Sequence, residues 1–303
     1  ARARAAAAPA PRPPQAQDCG VFNRRECMDM PEASAVLRRT REKWEARMKE
    51  LRREGAELEQ KAKVSLEWAT IGTARRMLKA NGGKSSDIQK AVDMFVQALE
   101  LRFRNDQLYR TMKCQAESDC RIIGRDKQDH PTVYVCFKSQ TAPARDLHDQ
   151  IVVTFEAACK LTSEEGTVVF VIDFCGFRPQ LNCDFAAIKD LSTMLGTVYA
   201  ERICRIMVVD FARAAQAMWW LLKPILNPAT VKKFAFVNES RARGLLREEF
   251  PAVDCERICE TLTVNRDPTR SAEDRAVHAR RTTLCDVPLG PPLQCGASIV
   301  QAD

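Results

Sequence analysis

Two aspartates stand where an α/β enzyme often keeps a catalytic carboxylate: Asp173 closes the run TVVFVIDF and Asp210 closes ICRIMVVDF. A carboxylate there also accepts hydrogen bonds from the loop amides that follow a strand, and this capping role is the one expected of both. The sequence has no GxSxG elbow, no GxxxxGKS/T phosphate loop, no GxGxxG behind a strand and no HExxH pair. Neither an activated nucleophile, nor a phosphate cradle, nor a zinc helix is therefore indicated.

Thirteen cysteines invite a metal or disulfide reading. Most lie inside apolar runs, such as Cys136 in TVYVCF, Cys175 in VFVIDFC and Cys204 in ERICRIMVV, where a thiol behaves as a small buried hydrophobe. The close pairs are Cys114/Cys120 and Cys255/Cys259, and His130, His148 and His278 stand apart from them. Reduced structural thiols are expected, with no metal site and no cofactor.

The segment ARAAQAMWWLLKPIL (Ala212–Leu226) is the most unusual one. As a helix it is apolar almost all round, because Met218, Trp219, Trp220, Leu221 and Leu222 cannot share one stripe. Such a helix is either fully buried or meets something other than water on its second side. Tryptophan favours a bilayer interface, so a mobile wall between an internal cavity and a membrane is the sharper reading of the two.

The elements that carry these residues follow from periodicity. Thr132–Phe137, Thr167–Phe174, Ile203–Phe211 and Lys233–Val237 are short β-branched or aromatic runs that predict strands. Helical patterns over Ala144–Leu161, Asp184–Ala200, Ala212–Leu226 and Ser240–Phe250 alternate with them, which predicts an α/β fold on a largely parallel sheet. Ahead of it, residues 65–114 read as an all-helical lobe, broken at Asn81-Gly82-Gly83 by a left-handed cap and restarted at Ser86-Asp87.

Residues 31–64 form a charged helix with Glu45/Lys49 and Glu57/Lys61 at i,i+4 spacing. Its stripe of Leu37, Trp44, Leu51 and Leu58, with Met48 alongside, is expected to dock on the rest of the chain; a coiled-coil seam is the alternative. The Ala/Arg/Pro-rich leader 1–30 and the tail 268–303 are expected to be poorly ordered, an organelle-targeting leader being the minor alternative.

At 303 residues, 45% hydrophobic and 29% charged, the chain is neither disordered nor collagen-like. Its apolar runs are far shorter than the ~20 residues of a membrane-spanning helix. A net charge of +7 suits an anionic partner, while 7% aromatic residues leave few base-stacking platforms. Phospholipid headgroups or an acidic protein are thus expected ahead of nucleic acid, and no nucleic-acid partner is expected.

Several ordered motifs then become recognisable. GRDKQDHPTVYV (Gly124–Val135), VFVIDFCGF (Val169–Phe177) and YAERICRIMVVDFARAAQAMWWLLKPILNPATVKKFAFV (Tyr199–Val237) resemble the CRAL-TRIO lipid-binding family, in its phosphatidylinositol transfer branch. That family shows GRD-x-x-G-x-PV, I-D-x-x-G, P-E-R and K-P-x-L-x-P-x-T-x-x-K in this order. Thr70–Arg102 looks like the family's helical N-terminal region.

The resemblance implies a mixed sheet flanked by helices that enclose a lipid cavity over residues 115–267, preceded by a helical lobe over 65–114. It implies a non-enzymatic carrier whose gate helix, here Met218, Trp219, Trp220, Leu221 and Leu222, exchanges one phospholipid with a membrane. Matched residue by residue, Glu201, Thr230 and Lys233 take the phosphatidylinositol headgroup. Val168, Phe170, Ile172, Ile206 and Val208 are expected to line the cavity. Val168 and Phe170 occupy the positions at which choline-lipid-binding members carry a Ser and a Thr.

Of the basic residues in the family's R-A-R-K pattern, Lys79-Ala80-Asn81-Gly82 keeps only the first, as Lys79, with Lys84 the nearest substitute. The expected setting is the cytoplasm with transient membrane contact, and a protein partner is the expectation attached to the 31–64 helix. Another hydrophobic ligand, such as a sterol, tocopherol or retinoid, or a membrane-sensing interaction module, is the alternative function.

Overall fold

A computed structural model describes residues 30–110 and 118–284. The leader expectation and the last part of the tail expectation lie outside the described residues.

The helical lobe starts with α1 (Pro31–Glu54) and α2 (Ala56–Glu67), separated at Gly55, and continues with α3 (Ile71–Ala80), α4 (Ile88–Arg104) and the short α5 (Asp106–Arg110). The apolar stripe of α1 is used internally: Val36, Trp44 and Leu51 are buried, and the Trp44 indole donates to the Ala62 carbonyl at 3.0 Å. The docked reading of this helix is the one observed. Thr70 caps α3 by accepting from the Thr73 amide. At its other end the chain turns through Gly82 and Gly83 (φ 117° and 77°), and Gly83 donates to the Leu78 carbonyl at 2.9 Å. Only glycine reaches such angles without strain, so the helix stops there.

Five strands form one sheet in sequential order: β1 (Asp119–Arg125), β2 (Pro131–Cys136), β3 (Val168–Asp173), β4 (Ile203–Val209) and β5 (Phe234–Val237). The first pair is antiparallel and the others are parallel. Parallel neighbours need crossovers, supplied by α6 (His148–Lys160), by α7 (Pro179–Asn182) with α8 (Phe185–Thr197), and by α9 (Arg213–Leu222) with α10 (Pro228–Val231). With strands added in sequence and crossovers of one hand, these helices fall on one face. Two helices after the last strand, α11 (Glu239–Glu249) and α12 (Ala252–Arg266), cover the other.

Period-2 alternation sorts the strand residues accordingly. Val169, Val171, Met207 and Val209 pack with Leu246, Phe250, Ile258 and Leu262 of the two closing helices. Val168, Phe170, Ile206 and Val208 face Val152, Phe155 and Ala158 of α6, in the same core as the helical lobe.

Three differences from the sequence reading have physical causes. The β1 strand was not anticipated, because Asp119 and Arg121 interrupt its apolar pattern; both are buried and ion-paired to each other. The α12 helix was missed because polar residues are scattered through it. The expected disorder from residue 268 is corrected by a helix, α13 (Ala272–Thr282), started by the reciprocal Ser271/Asp274 capping box. That helix is tied down: Arg121 donates to Thr282 Oγ1 at 3.0 Å, and the Leu284 amide donates to the Ile122 carbonyl at 3.0 Å.

Candidate functional site

The two strand-end aspartates are structural. Asp173 is fully buried and accepts from the Tyr134 hydroxyl, from the Cys175 amide and from both terminal nitrogens of Arg266, at 2.8–3.0 Å. The same guanidinium reaches Asp210 at 2.7 Å and Glu239 at 3.0 Å. Arg266 thus clamps the carboxyl ends of β3 and β4 to the start of α11, and desolvation is offset by three carboxylates. Just beyond, Gly176 (φ 74°) crosses so close to Lys138 that a Cβ would lie 2.6 Å from its Cα.

On the crossover face the sheet does not close on its helices. A cavity of about 270 Å³ lies between the strands, α8 and α9. Phe170, Ile172, Ile206 and Val208 line it, as do Trp219 and Leu222 of α9. Val168 does not: it is fully buried in the solid core on the same face. Sequence reasoning missed an aromatic chain around the space. Phe137 meets Phe174, which meets Phe211, then Phe236, then Trp219, with centroids 4.8–5.1 Å apart. Alternation in KFAFV could have flagged Phe234 and Phe236, whereas Phe174, Phe177 and Phe211 sit in loops without a period.

The α9 helix has two sides. Ala215, Trp219 and Leu222 face the cavity, while Trp220 and Leu221 are 71% and 63% exposed. The side chain of Met218 lies outside the described residues. The helix is shorter than expected, giving way at Lys223–Ile225 to a 3-10 turn that holds Pro224. Its start at Ala212 has no side-chain cap. An uncapped start and a proline at the end leave α9 weakly tethered through its own backbone.

Charged groups gather at the amino ends of β4 and β5. Glu201 Oε2 lies 3.7 Å from Lys233 Nζ and 3.9 Å from Lys79 Nζ. Thr230 belongs to the same turn, its carbonyl accepting from the Lys233 amide at 3.0 Å, and is half-buried. Glu201 has φ 58°, a left-handed conformation costly for a long side chain. Its turn is held from the helical lobe, since Arg76 of α3 donates to the Ala200 carbonyl at 3.0 Å and stacks over Trp68. One turn further along α3 comes Lys79. None of the four side chains Lys79, Glu201, Thr230 and Lys233 lines the cavity, although Ile203 and Phe234, close by on β4 and β5, belong to its wall. Among the described residues there is no group of three metal-ligating side chains, and no helix is long and apolar enough to cross a membrane.

The structure thus holds an apolar cavity beneath a largely parallel sheet, walled on one side by α9, and a separate charged cluster at the amino ends of β4 and β5. The CRAL/TRIO domain family model matches residues 118–258. The matched part takes in all five strands and reaches into α12. A CRAL-TRIO domain-containing protein of Schizosaccharomyces pombe is 25% identical over 187 residues, 60% of this chain. The chain spans only 18% of that relative's length. The crystal structure of Sfh5 is similar with a TM-score of 0.41 and 17% identity, over 55% of this chain and 66% of that one.

Proposed function

We propose that the protein binds one phospholipid, phosphatidylinositol, and carries it to or presents it at a membrane, without catalysing a reaction on it. The observation that supports this best is the convergence of Lys79, Glu201 and Lys233 at the strand ends next to Ile203 and Phe234 of an apolar cavity wall. The lysines offer point charges to a phosphodiester, and Glu201 accepts from ring hydroxyls, with the Thr230 hydroxyl able to do either. Acyl chains in the cavity escape water at ~0.8 kcal/mol per methylene, which is why a free lipid needs such an escort.

Exchange requires the wall to move. Trp220 and Leu221 enter the interface of the bilayer, Lys223 and Arg213 beside them meet anionic headgroups, and α9 swings away from Phe234 and Phe236. The expected setting is the cytoplasmic surface of a membrane, with transient contact.

The test is transfer of labelled phosphatidylinositol between vesicles by the full chain. Lys233→Ala is expected to slow transfer about tenfold, the loss of one charge-assisted contact of ~1.5–3 kcal/mol. Transfer at the parental rate would remove the headgroup assignment. A smaller hydrophobic ligand, such as a sterol, tocopherol or retinoid, is the second reading. It is favoured by the volume of about 270 Å³, at the lower end for ligand pockets. Native mass spectrometry of the purified protein separates the two by the mass of the co-purifying lipid.

A further inference from the structure

The lipid reading leaves unused a close cysteine pair, on the face of the sheet away from the cavity. Cys255 and Cys259 lie four residues apart on α12, so both project from the same side of the helix. Their sulfurs are 4.0 Å apart, in contact with each other. Cys255 is buried with Leu246 and Phe250 of α11, and Cys259 packs half-buried against the same cluster. From α11, Arg243 donates to the Cys259 carbonyl at 3.1 Å and to Thr263 Oγ1 at 2.9 Å, which fixes the turn that carries the outer thiol.

This spacing works against one use of two thiols and favours another. A disulfide needs its Cβ atoms roughly 3.5–4.5 Å apart. Residues i and i+4 of an intact helix hold theirs at about 5–6 Å, so oxidation would have to distort α12 within its packed core. A metal bridge asks for more room. Two metal–thiolate bonds of about 2.3 Å, the length at zinc, span roughly 3.8 Å at a tetrahedral angle and about 4.6 Å in line. The observed 4.0 Å falls inside that range.

The donor count narrows the ion. Zinc asks for four ligands at a structural site, and among the described residues no third His, Cys, Asp or Glu joins the pair. Magnesium and calcium seek oxygen, which this pair does not offer. Copper(I), a soft monovalent ion, prefers thiolates and is satisfied by two of them.

We propose that Cys255 and Cys259 form a two-thiolate site for one soft monovalent cation of the copper(I) class. Each sulfur gives its proton to solvent and bonds to the ion, so two protons are released per ion and neither sulfur nor metal changes oxidation state. The bridge joins successive turns of α12 and leaves the cavity on the other face untouched. It departs from the expectation that these thiols serve packing alone.

The experiment is anaerobic addition of one equivalent of copper(I), as its acetonitrile complex, to the reduced full chain. Labelling with N-ethylmaleimide follows and is read at each cysteine by peptide mass spectrometry. The half-buried Cys259 is the reporter, and the exposed Cys183 is the internal reference. A thiolate held by metal is withdrawn as a nucleophile, so Cys259 is expected to label at least about tenfold more slowly with the ion while Cys183 stays within about twofold. Cys255→Ala removes the second sulfur and is expected to return Cys259 to its metal-free rate. In a separate competition against bicinchoninate, Cys259→Ala is expected to retain about one copper(I) fewer than the parent. A Cys259 rate that copper(I) leaves unchanged in the parent, protection that persists in Cys255→Ala, or equal retention by Cys259→Ala overturns the proposal.

Discussion

At residue scale, the hairpin around His130 ties backbone conformation to charge. The family pattern places glycine at the sixth position of GRD-x-x-G, and this chain has Asp129 there, at φ 66°. Aspartate tolerates the left-handed region better than most residues, and here Arg125 donates to its carboxylate at 3.1 Å. Asp129→Gly is expected to be neutral or stabilising by up to ~1 kcal/mol, read as a shift in the urea midpoint.

The same hairpin carries a pH signature. Asp126 Oδ2 lies 2.9 Å from Nδ1 of the His130 ring, and this ion pair raises the imidazole from 6.5 to about 10 in the fold. A raised value means that its contribution to stability is fully present below pH 6.5 and is lost as pH rises through about 10. The denaturation midpoint should therefore fall between pH 7 and pH 10, and His130→Asn should flatten that slope; an unchanged slope would separate His130 from the ion pair.

Glu201 shows what was readable and what was not. Its role came from a motif in the resemblance, since nothing in periodicity distinguishes it from a solvated surface residue. Its left-handed backbone and the approach of Lys79, more than a hundred residues earlier, depend on how α3 docks.

At the scale of elements, α9 is where pattern and structure agree in kind but differ in detail. An all-round apolar helix predicted two non-aqueous sides, and the inward set Trp219 and Leu222 lies opposite the outward pair Trp220 and Leu221. The outward pair stabilises nothing within the described fold. Trp220→Ser with Leu221→Ser is thus expected to leave the melting temperature within about 2 °C while weakening vesicle association about tenfold or more, a loss of ~1.5–3 kcal/mol per side chain at most. Sedimentation with phosphatidylinositol-containing vesicles measures it.

Strands β2 to β5 are legible as short runs rich in β-branched and aromatic residues; β2, β3 and the second half of β4 are buried on both faces, whereas β5 is a half-exposed edge strand. The first strand was hidden by its buried charges. The α13 helix was hidden by its polarity, although S-x-x-D at Ser271–Asp274 is a helix-start signature that a closer reading would have caught.

At the scale of the whole molecule, the helical lobe and the sheet are joined through a buried ion pair. Arg102 of α4 donates to both oxygens of Glu156 in α6, at 3.2 and 3.3 Å, and stacks over Trp68 and Tyr109. Tyr199, just before the Glu201 turn, donates to the same carboxylate at 2.7 Å. Burial alone would raise Glu156, but Arg102 outweighs it and holds the carboxyl below its usual range. A depressed carboxylate contributes stability above its unfolded value that is lost as pH falls. Arg102→Met leaves the buried Glu156 with the Tyr199 hydroxyl and with Lys160 at 4.0 Å, and is expected to cost ~3 kcal/mol by urea denaturation. It should also impair transfer, because the lobe that brings Lys79 would no longer be fixed against the Glu201 turn.

The clamp on the first strand matters to how the protein is made. Besides Thr282 and Leu284, Arg257 of α12 donates to the Ile123 carbonyl at 2.9 Å. On a ribosome, synthesis runs from the amino end and strands β1 to β5 emerge well before these partners. Until α11 and α12 have left the exit tunnel the back of the sheet is bare, and until residue 284 follows them the first strand lacks its last anchors. A nascent chain stalled after β5 should therefore be the species that chaperones hold, and release should follow the appearance of α13.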